Sequence, residues 1–250
     1  MQGYTCTEKI PFRGIDSDFR AGFPCLMACM LESSMLHSEV TPHPMAWYWS
    51  QGVAFVFTNW QAVVRRYPRW NEEITVKTWP TSFKGFVAER SFEVFDSNGE
   101  SIAKSHSGWV YMDLNRRKPA RAPLDVLNGF GDFMPPALER NFRLPERSGF
   151  AEAGSRAIEV TRRDLDANRH VNSVAYLDWA MDSLTAHGLC RAGRVVEMKT
   201  TYRKECSLGA PVEVAALRNT DGDSDAIVLI QEADGEKALL CEVYLKFGEA

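Results

Sequence analysis

No run in this chain approaches the roughly 18 consecutive apolar residues of a membrane-crossing helix, so no membrane span is expected. The opening stretch Met1 to Lys9 has no apolar core of signal-peptide length, and export is not expected either. Neither sign of charge dominates, with 33 acidic and 29 basic side chains. The net charge of -4 gives no strong field, which argues against a nucleic-acid partner. Cysteines number six, and without export they read as free thiols in a reducing compartment, the cytoplasm. Cys25 and Cys29 lie four apart with no histidine at zinc-finger spacing, so they read as core thiols. Histidines number five, and His37, His43, His106 and His187 carry no neighbouring chemistry. No metal or cofactor is implied. What remains is an ordinary globular balance, 45% hydrophobic and 25% charged. At 250 residues it suffices for one large domain or two of about half that size.

The fifth histidine sits in the most informative stretch. Asp166, Asn168 and His170 alternate, so an extended loop would turn all three the same way. They lead into a helical stretch from Val171 to about His187-Gly188, apolar except for a stripe of Asp178, Asp182 and Thr185. Helix starts expose unpaired N–H groups and a positive dipole end. A carboxylate, a ring that titrates near neutrality and a set of N–H donors suit acyl transfer. A bland reading stands beside this one: Asp166 and Asn168 also fit an Asx turn and a helix cap.

The chain carries an internal repeat. Ile15-Asp16 matches Leu165-Asp166, and Glu32-Ser33 matches Asp182-Ser183, both at an offset of 150. Ile74 and Val76 match Val212 and Val214 at 138, and Asn98-Gly99-Glu100 matches Asp234-Gly235-Glu236 at 136. Each copy reads as one helix followed by a meander of strands. In the first, a strand to Phe12 precedes a helix from Phe23 to His37, with Pro24 in its first turn. Strands follow at Val53–Phe57 with Val63-Val64, Glu73–Trp79, Phe92–Phe95 and Ile102–Met112, with a turn at Asp96–Gly99. Residues 113–152 are broken by prolines and read as a connection, with a short helix at Leu124–Phe130. A buried helix wrapped by an antiparallel sheet is the hot-dog unit. The expected fold class is therefore α+β, a double hot-dog. Its boundaries would be an N-terminal unit at 1–130, a linker at 131–152 and a C-terminal unit at 153–250.

Arg163 to Asn172, followed by Tyr176 and Trp179, resembles the second-domain motif of the acyl-ACP thioesterases (ACP, acyl carrier protein). Thr201-Tyr202-Arg203-Lys204-Glu205-Cys206 is similar to that family's second active-site segment. Tyr67-Pro68-Arg69-Trp70, Thr78-Trp79-Pro80 and Ser107-Gly108-Trp109-Val110 extend the resemblance into the first half. With no plastid-type leader ahead of them, the resemblance is to the shorter bacterial form. It implies hydrolysis of a fatty acyl thioester on ACP. Carried over by position, the catalytic set would be Asp166, Asn168, His170, Glu205 and Cys206. Ser173 departs from the family's usual second asparagine. The first copy, Asp16-Ser17-Asp18-Phe19-Arg20, lacks both amide and imidazole, so it would shape the acyl pocket without doing chemistry.

In the implied mechanism, N–H groups from His170 to Asn172 hold the oxyanion, and Asp166 attacks or joins Glu205 and His170 in activating water. A competing version has Cys206 attack with His170 as its base, against the equal chance that Cys206 is an inert core thiol. Met27, Met30, Leu31, Phe55, Trp60 and Trp109 are candidate acyl-pocket residues, although each also fits plain core. Arg116, Arg117, Lys118 and Arg121 form a basic run that suits docking of an acidic carrier protein, with solvated loop charge as the default. A second basic run holds Arg140, Arg143 and Arg147. Asp221 to Asp225 with Glu232 has calcium-loop spacing but Ala226 where glycine is needed, so it reads as a hairpin turn. Rival functions are a hot-dog acyl-CoA thioesterase, a hot-dog dehydratase and a non-catalytic acyl binder. A homodimer is compatible with the pattern.

Overall fold

The computed structural model of the chain describes residues 3–190, 193–222 and 224–249. The chain forms two compact units that divide between Asn141 and Phe142.

The first unit opens with β1 (Tyr4–Lys9) and a single 3-10 turn at Phe12–Gly14. The expected strand to Phe12 stops short, because Pro11 has no N–H to continue the ladder. Helix α1 (Phe23–Glu39) follows, then α2 (Met45–Gln51), β2 (Val53–Val64), β3 (Glu73–Lys84), β4 (Val87–Phe95) and β5 (Ser101–Asp113). A two-residue β6 (Lys118–Pro119) and α3 (Leu124–Gly129) complete it. The strands lie in the order β1-β3-β4-β5-β2, all antiparallel, with β6 paired to β5. Helix α1 packs on β1, β3 and β4. It buries Phe23, Leu26, Met27, Cys29 and Met30, and also three serines. The Ser33, Ser34 and Ser38 hydroxyls donate to carbonyls one turn back, so burying them leaves no orphan donor. Strand β3 shows the expected alternation, with Ile74, Val76 and Thr78 buried. Its register slips between Pro80 and Ser82, where proline cannot donate. Helix α2 is too short to show periodicity in the sequence. It runs between Pro44 and Gly52, whose φ of 63° stops it in the left-handed region.

The second unit repeats this plan with β7 (Phe150–Glu159), a 3-10 turn at Arg162–Asp164, α4 (Ser173–Ala186), β8 (Arg194–Tyr202), β9 (Pro211–Asn219), β10 (Asp225–Glu232) and β11 (Leu239–Gly248). The order is β8-β11-β10-β9-β7, which is the first unit's order element for element. Helix α4 packs on β9, β10 and β11. Its N-cap is Asn172, whose side chain accepts the Val174 N–H at 2.9 Å. The repeat extends to single bonds. Gly22 N–H to Gly14 O and Asn172 N–H to Asp164 O are both 2.8 Å. The 138 offset recurs where Arg65 and Arg66 both donate to Ile102 O, and Arg203 and Lys204 both donate to Leu240 O. In the suspected calcium loop, Asp223 lies outside the described residues. Asp225 opens β10, and its carboxylate is held by Asn219 at 2.7 Å and Tyr244 at 3.1 Å.

Candidate active site

The loop before α4 is a tight hairpin and not the extended segment expected from alternation. Leu165 and Val171 form an antiparallel bridge. Asp166 N–H donates to His170 O at 2.8 Å, and Arg169 N–H to Asp166 O at 3.1 Å. Arg169 takes φ 64°, a left-handed conformation that costs a side chain some strain. Turn chemistry overrides alternation here. Asp166 Oδ1 accepts the N–H of Asn168 at 2.8 Å and of His170 at 3.2 Å, an Asx turn. Asp166 Oδ2 faces the Asn168 amide at 3.4 Å. The Asx part of the bland reading is therefore real, whereas the helix cap is Asn172.

The second segment reaches this hairpin from β8. His170 bridges to Ser207, and Val171 N–H donates to Cys206 O at 3.0 Å. These bonds set Glu205 beside the imidazole, with His170 Nε2 3.6 Å from Glu205 Oε2. Both side chains are 41% exposed, so the pair faces an open surface. Around it, Tyr202 Oη donates to Ser173 O at 2.9 Å, tying β8 to the first residue of α4. Trp179 Nε1 donates to Asp164 Oδ1 at 3.3 Å, and Tyr176 stacks edge-on to Trp179 and Tyr202. One loop, one strand end and one helix start thus place Asp166, Asn168, His170 and Glu205 together.

Two expectations change. The N–H groups of His170, Val171 and Asn172 all donate within the protein, so they do not form the oxyanion site. Asn168 is exposed at the hairpin tip, and Ser173 opens α4, where the first backbone N–H groups lack helical acceptors. Cys206 is only 6% exposed, and burial pushes its thiol pKa up. A thiol in that state is a weak nucleophile at neutral pH.

The first copy makes the same hairpin with other side chains. Asp16 N–H donates to Arg20 O at 2.8 Å, Phe19 N–H to Asp16 O at 3.0 Å, and Phe19 takes φ 61°. Arg20 stands where His170 does and donates to Tyr67 O at 3.1 Å. Tyr67 and Pro68 stand where Glu205 and Cys206 do, since Ala21 N–H donates to Pro68 O at 2.8 Å. Asp16 and Asp18 keep carboxylates here, with Asp18 Oδ2 3.8 Å from Arg20 Nε, but among the described residues of this corner no imidazole replaces His170 and no carboxylate replaces Glu205.

The candidate pocket residues separate. Phe55 and Trp109 line a cavity within the first unit, together with Phe83, Phe130, Phe133 and Arg90. Its empty space is about 530 Å³ when the open mouth is counted with it. Met27, Met30 and Trp60 are fully buried in the core, and neither they nor Leu31 are among the cavity's lining residues. Arg116, Arg117, Lys118 and Arg121 are exposed, with Arg116 drawn to Asp113 at 3.7 Å. In the other basic run, Arg140 binds Glu89 at 2.7 Å, and Arg147 clamps the buried Glu242 with two bonds. Sequence reading missed Arg90. A signal was available: strand alternation puts Arg90 on the face of Phe92 and Val94, both fully buried.

Comparison with known proteins follows this geometry. The model of the acyl-ACP thioesterase N-terminal domain matches residues 2–130, and that of the C-terminal domain matches residues 149–244. A palmitoyl-acyl carrier protein thioesterase of Cuphea hookeriana is 27% identical over 224 residues, 83% of this chain and 53% of that protein. An oleoyl-acyl carrier protein thioesterase of Coriandrum sativum is 28% identical over 189 residues, 72% of this chain and 51% of that protein. The chain spans about half the length of the curated relatives it matches. Among solved structures, the 12:0-ACP thioesterase from Umbellularia californica superposes with a TM-score of 0.82 at 18% identity, covering 97% of this chain and 96% of that one. An acyl-ACP thioesterase from Bacteroides thetaiotaomicron gives 0.81 at 20% identity, over 97% and 96% of the two chains. These likenesses establish the double hot-dog fold.

Proposed function

The chain belongs to the acyl-ACP thioesterase family, and from that premise we propose that it hydrolyses fatty acyl thioesters of acyl carrier protein. The second unit carries the chemistry and the first holds the acyl tail. The observation that carries this reading is the 3.6 Å approach of His170 Nε2 to Glu205 Oε2 beside the Asp166 turn. In the proposed sequence, Asp166 Oδ2 attacks the thioester carbon, its Oδ1 being anchored by two N–H bonds. Asn168 and the first turn of α4 polarise the carbonyl oxygen. The C–S bond breaks, and the departing thiolate takes a proton from His170. Water then loses its proton to the Glu205–His170 pair, attacks the mixed anhydride, and releases the free acid with the Asp166 carboxylate restored. Cys206 takes no part.

The tail would lie in the cavity lined by Phe55 and Trp109. The exposed run of Arg116, Arg117, Lys118 and Arg121 would face the acidic carrier. Reversing Arg116 and Arg117 to Glu should raise KM for ACP substrates and spare small thioesters. Among the described residues the cysteines form no disulfide, which accords with a reducing compartment, the cytoplasm. The decisive experiment incubates the pure protein with acyl-ACP thioesters and measures free acid. Equal turnover of the matching acyl-CoA would favour the CoA thioesterase reading, and an unsaturated thioester product would favour a dehydratase.

A further inference from the structure

The cavity of the first unit is lined by aromatic rings, yet one of its walls is a guanidinium. Arg90 is 9% exposed, on β4 between the buried Thr78 of β3 and His37 of α1. Its Nη1 lies 3.1 Å from His37 Nδ1 and 3.0 Å from Thr78 Oγ1. The Phe130 ring lies 5.2 Å from its central carbon. Among the described residues, these are its partners, and no carboxylate pairs with it.

None of these partners balances the charge. His37 offers Nδ1 as an acceptor, and burial beside Arg90 lowers its pKa to about 3, so the ring is neutral. Burial also pulls Arg90 down, to about 10, which still leaves it a cation at neutral pH. Glu89 lines the same cavity, but its two oxygens are held by Arg140 at 2.7 Å and His106 at 3.3 Å. A second observation points the same way. Tyr48 is not among the cavity's lining residues, but it packs behind Phe55 with ring centroids 6.1 Å apart, is 3% exposed, and its Oη has no hydrogen-bond partner among the described residues. A buried cation without a counter-ion is costly, and so is a buried hydroxyl without a partner. A guanidinium has five donors and fits a carboxylate with two parallel bonds.

We propose that this cavity binds an aliphatic carboxylate, with Arg90 as the counter-ion that the protein itself does not provide. That the ligand is a fatty chain rests on the functional reading above. The anionic end follows from Arg90. The carboxylate has two sources of the same chemistry: a released fatty acid that rebinds head-first where the substrate's tail would lie, or the far end of an acyl chain that is acidic at both ends.

The test begins with binding, which does not depend on turnover. Dodecanoate and dodecan-1-ol are titrated calorimetrically into the wild-type protein below their aggregation limits. The acid should bind at least about tenfold tighter than the alcohol, and equal or weaker binding of the acid overturns the proposal. In Arg90→Met, shown folded by circular dichroism, the preference should vanish; a folded variant that keeps it also overturns the proposal. Replacing a buried ion by an apolar side chain of similar size is often tolerated. Should Arg90→Met not fold, Arg90→Gln takes its place, with the acid's preference again expected to vanish and its persistence counting against. The source is then read from kinetics. If the substrate tail supplies the carboxylate, ACP charged with the half-thioester of dodecanedioic acid turns over at least tenfold more efficiently than dodecanoyl-ACP. If the product supplies it, dodecanoate inhibits competitively and the diacid thioester has no advantage. Tight acid binding without hydrolysis of any thioester would refute the functional reading and leave the carboxylate site standing.

Discussion

Replacing Asp166 by Asn separates a catalytic carboxylate from a turn-forming one. Asp166 Oδ1 accepts two backbone N–H bonds, at 2.8 and 3.2 Å. An asparagine oxygen accepts the same two, so the hairpin survives. What is lost is their charge assistance. Hydrogen bonds to charged groups contribute about 1.5–3 kcal/mol and neutral ones about 0.5–1.5, so the difference is roughly 1 kcal/mol per bond. The loop is partly solvated, which makes roughly 2 kcal/mol an upper bound, or a Tm decrease of at most about 8 °C. The protein stays folded at assay temperature. An amide is not a competent nucleophile, however, and kcat should fall at least about 1,000-fold, roughly 4 kcal/mol of barrier. Thermal unfolding and initial rates of acid release on one preparation read both quantities. If Tm drops as calculated but kcat/KM stays within about tenfold of wild type, Asp166 is only a turn residue and the mechanism is wrong.

Cys206→Ala should turn over within about tenfold of wild type, because the buried thiol is protonated at neutral pH; a folded but inactive variant would restore the thiolate mechanism. Phe55→Ala enlarges the cavity and should favour chains two carbons longer, by up to roughly 1.6 kcal/mol or about fifteenfold in kcat/KM. Met30→Ala should instead cost about 2–5 kcal/mol of stability with no shift in chain preference, since Met30 is core. Asp178 offers a pH test. Burial, then the carboxylates of Asp182 and Asp164, raise its pKa to about 6. An acid raised above its unfolded value favours folding below about pH 4 and loses that contribution as pH rises through 6. Its side chain is exposed at the surface, so solvent screening holds the effect to at most about 1 kcal/mol. Asp178→Asn should therefore raise Tm at pH 8 and leave it nearly unchanged at pH 4; a larger gain at pH 4 would contradict the sign.

The sequence by itself determined the local elements and their repetition. Turn residues at Asp96–Gly99, Pro24 in the first turn of α1, and the alternation of β3 act over a few residues, and each was readable without tertiary information. The motif around Asp166 to His170 was readable as chemistry, but its shape was misjudged. Alternation predicts an extended loop, whereas the Asp166 side chain competes for the backbone N–H groups and closes a hairpin. That closure also leaves the N–H groups of His170 to Asn172 unable to hold an oxyanion. Only the tertiary structure decided which distant residues meet. Glu205 comes to His170 because the chain leaving β8 bridges to the hairpin at Ser207. Arg90 gains its meaning from His37, 53 residues away on the helix that packs over its strand. Pairing across such distances depends on how the sheet is registered and how the helix lies on it, and no local pattern encodes either.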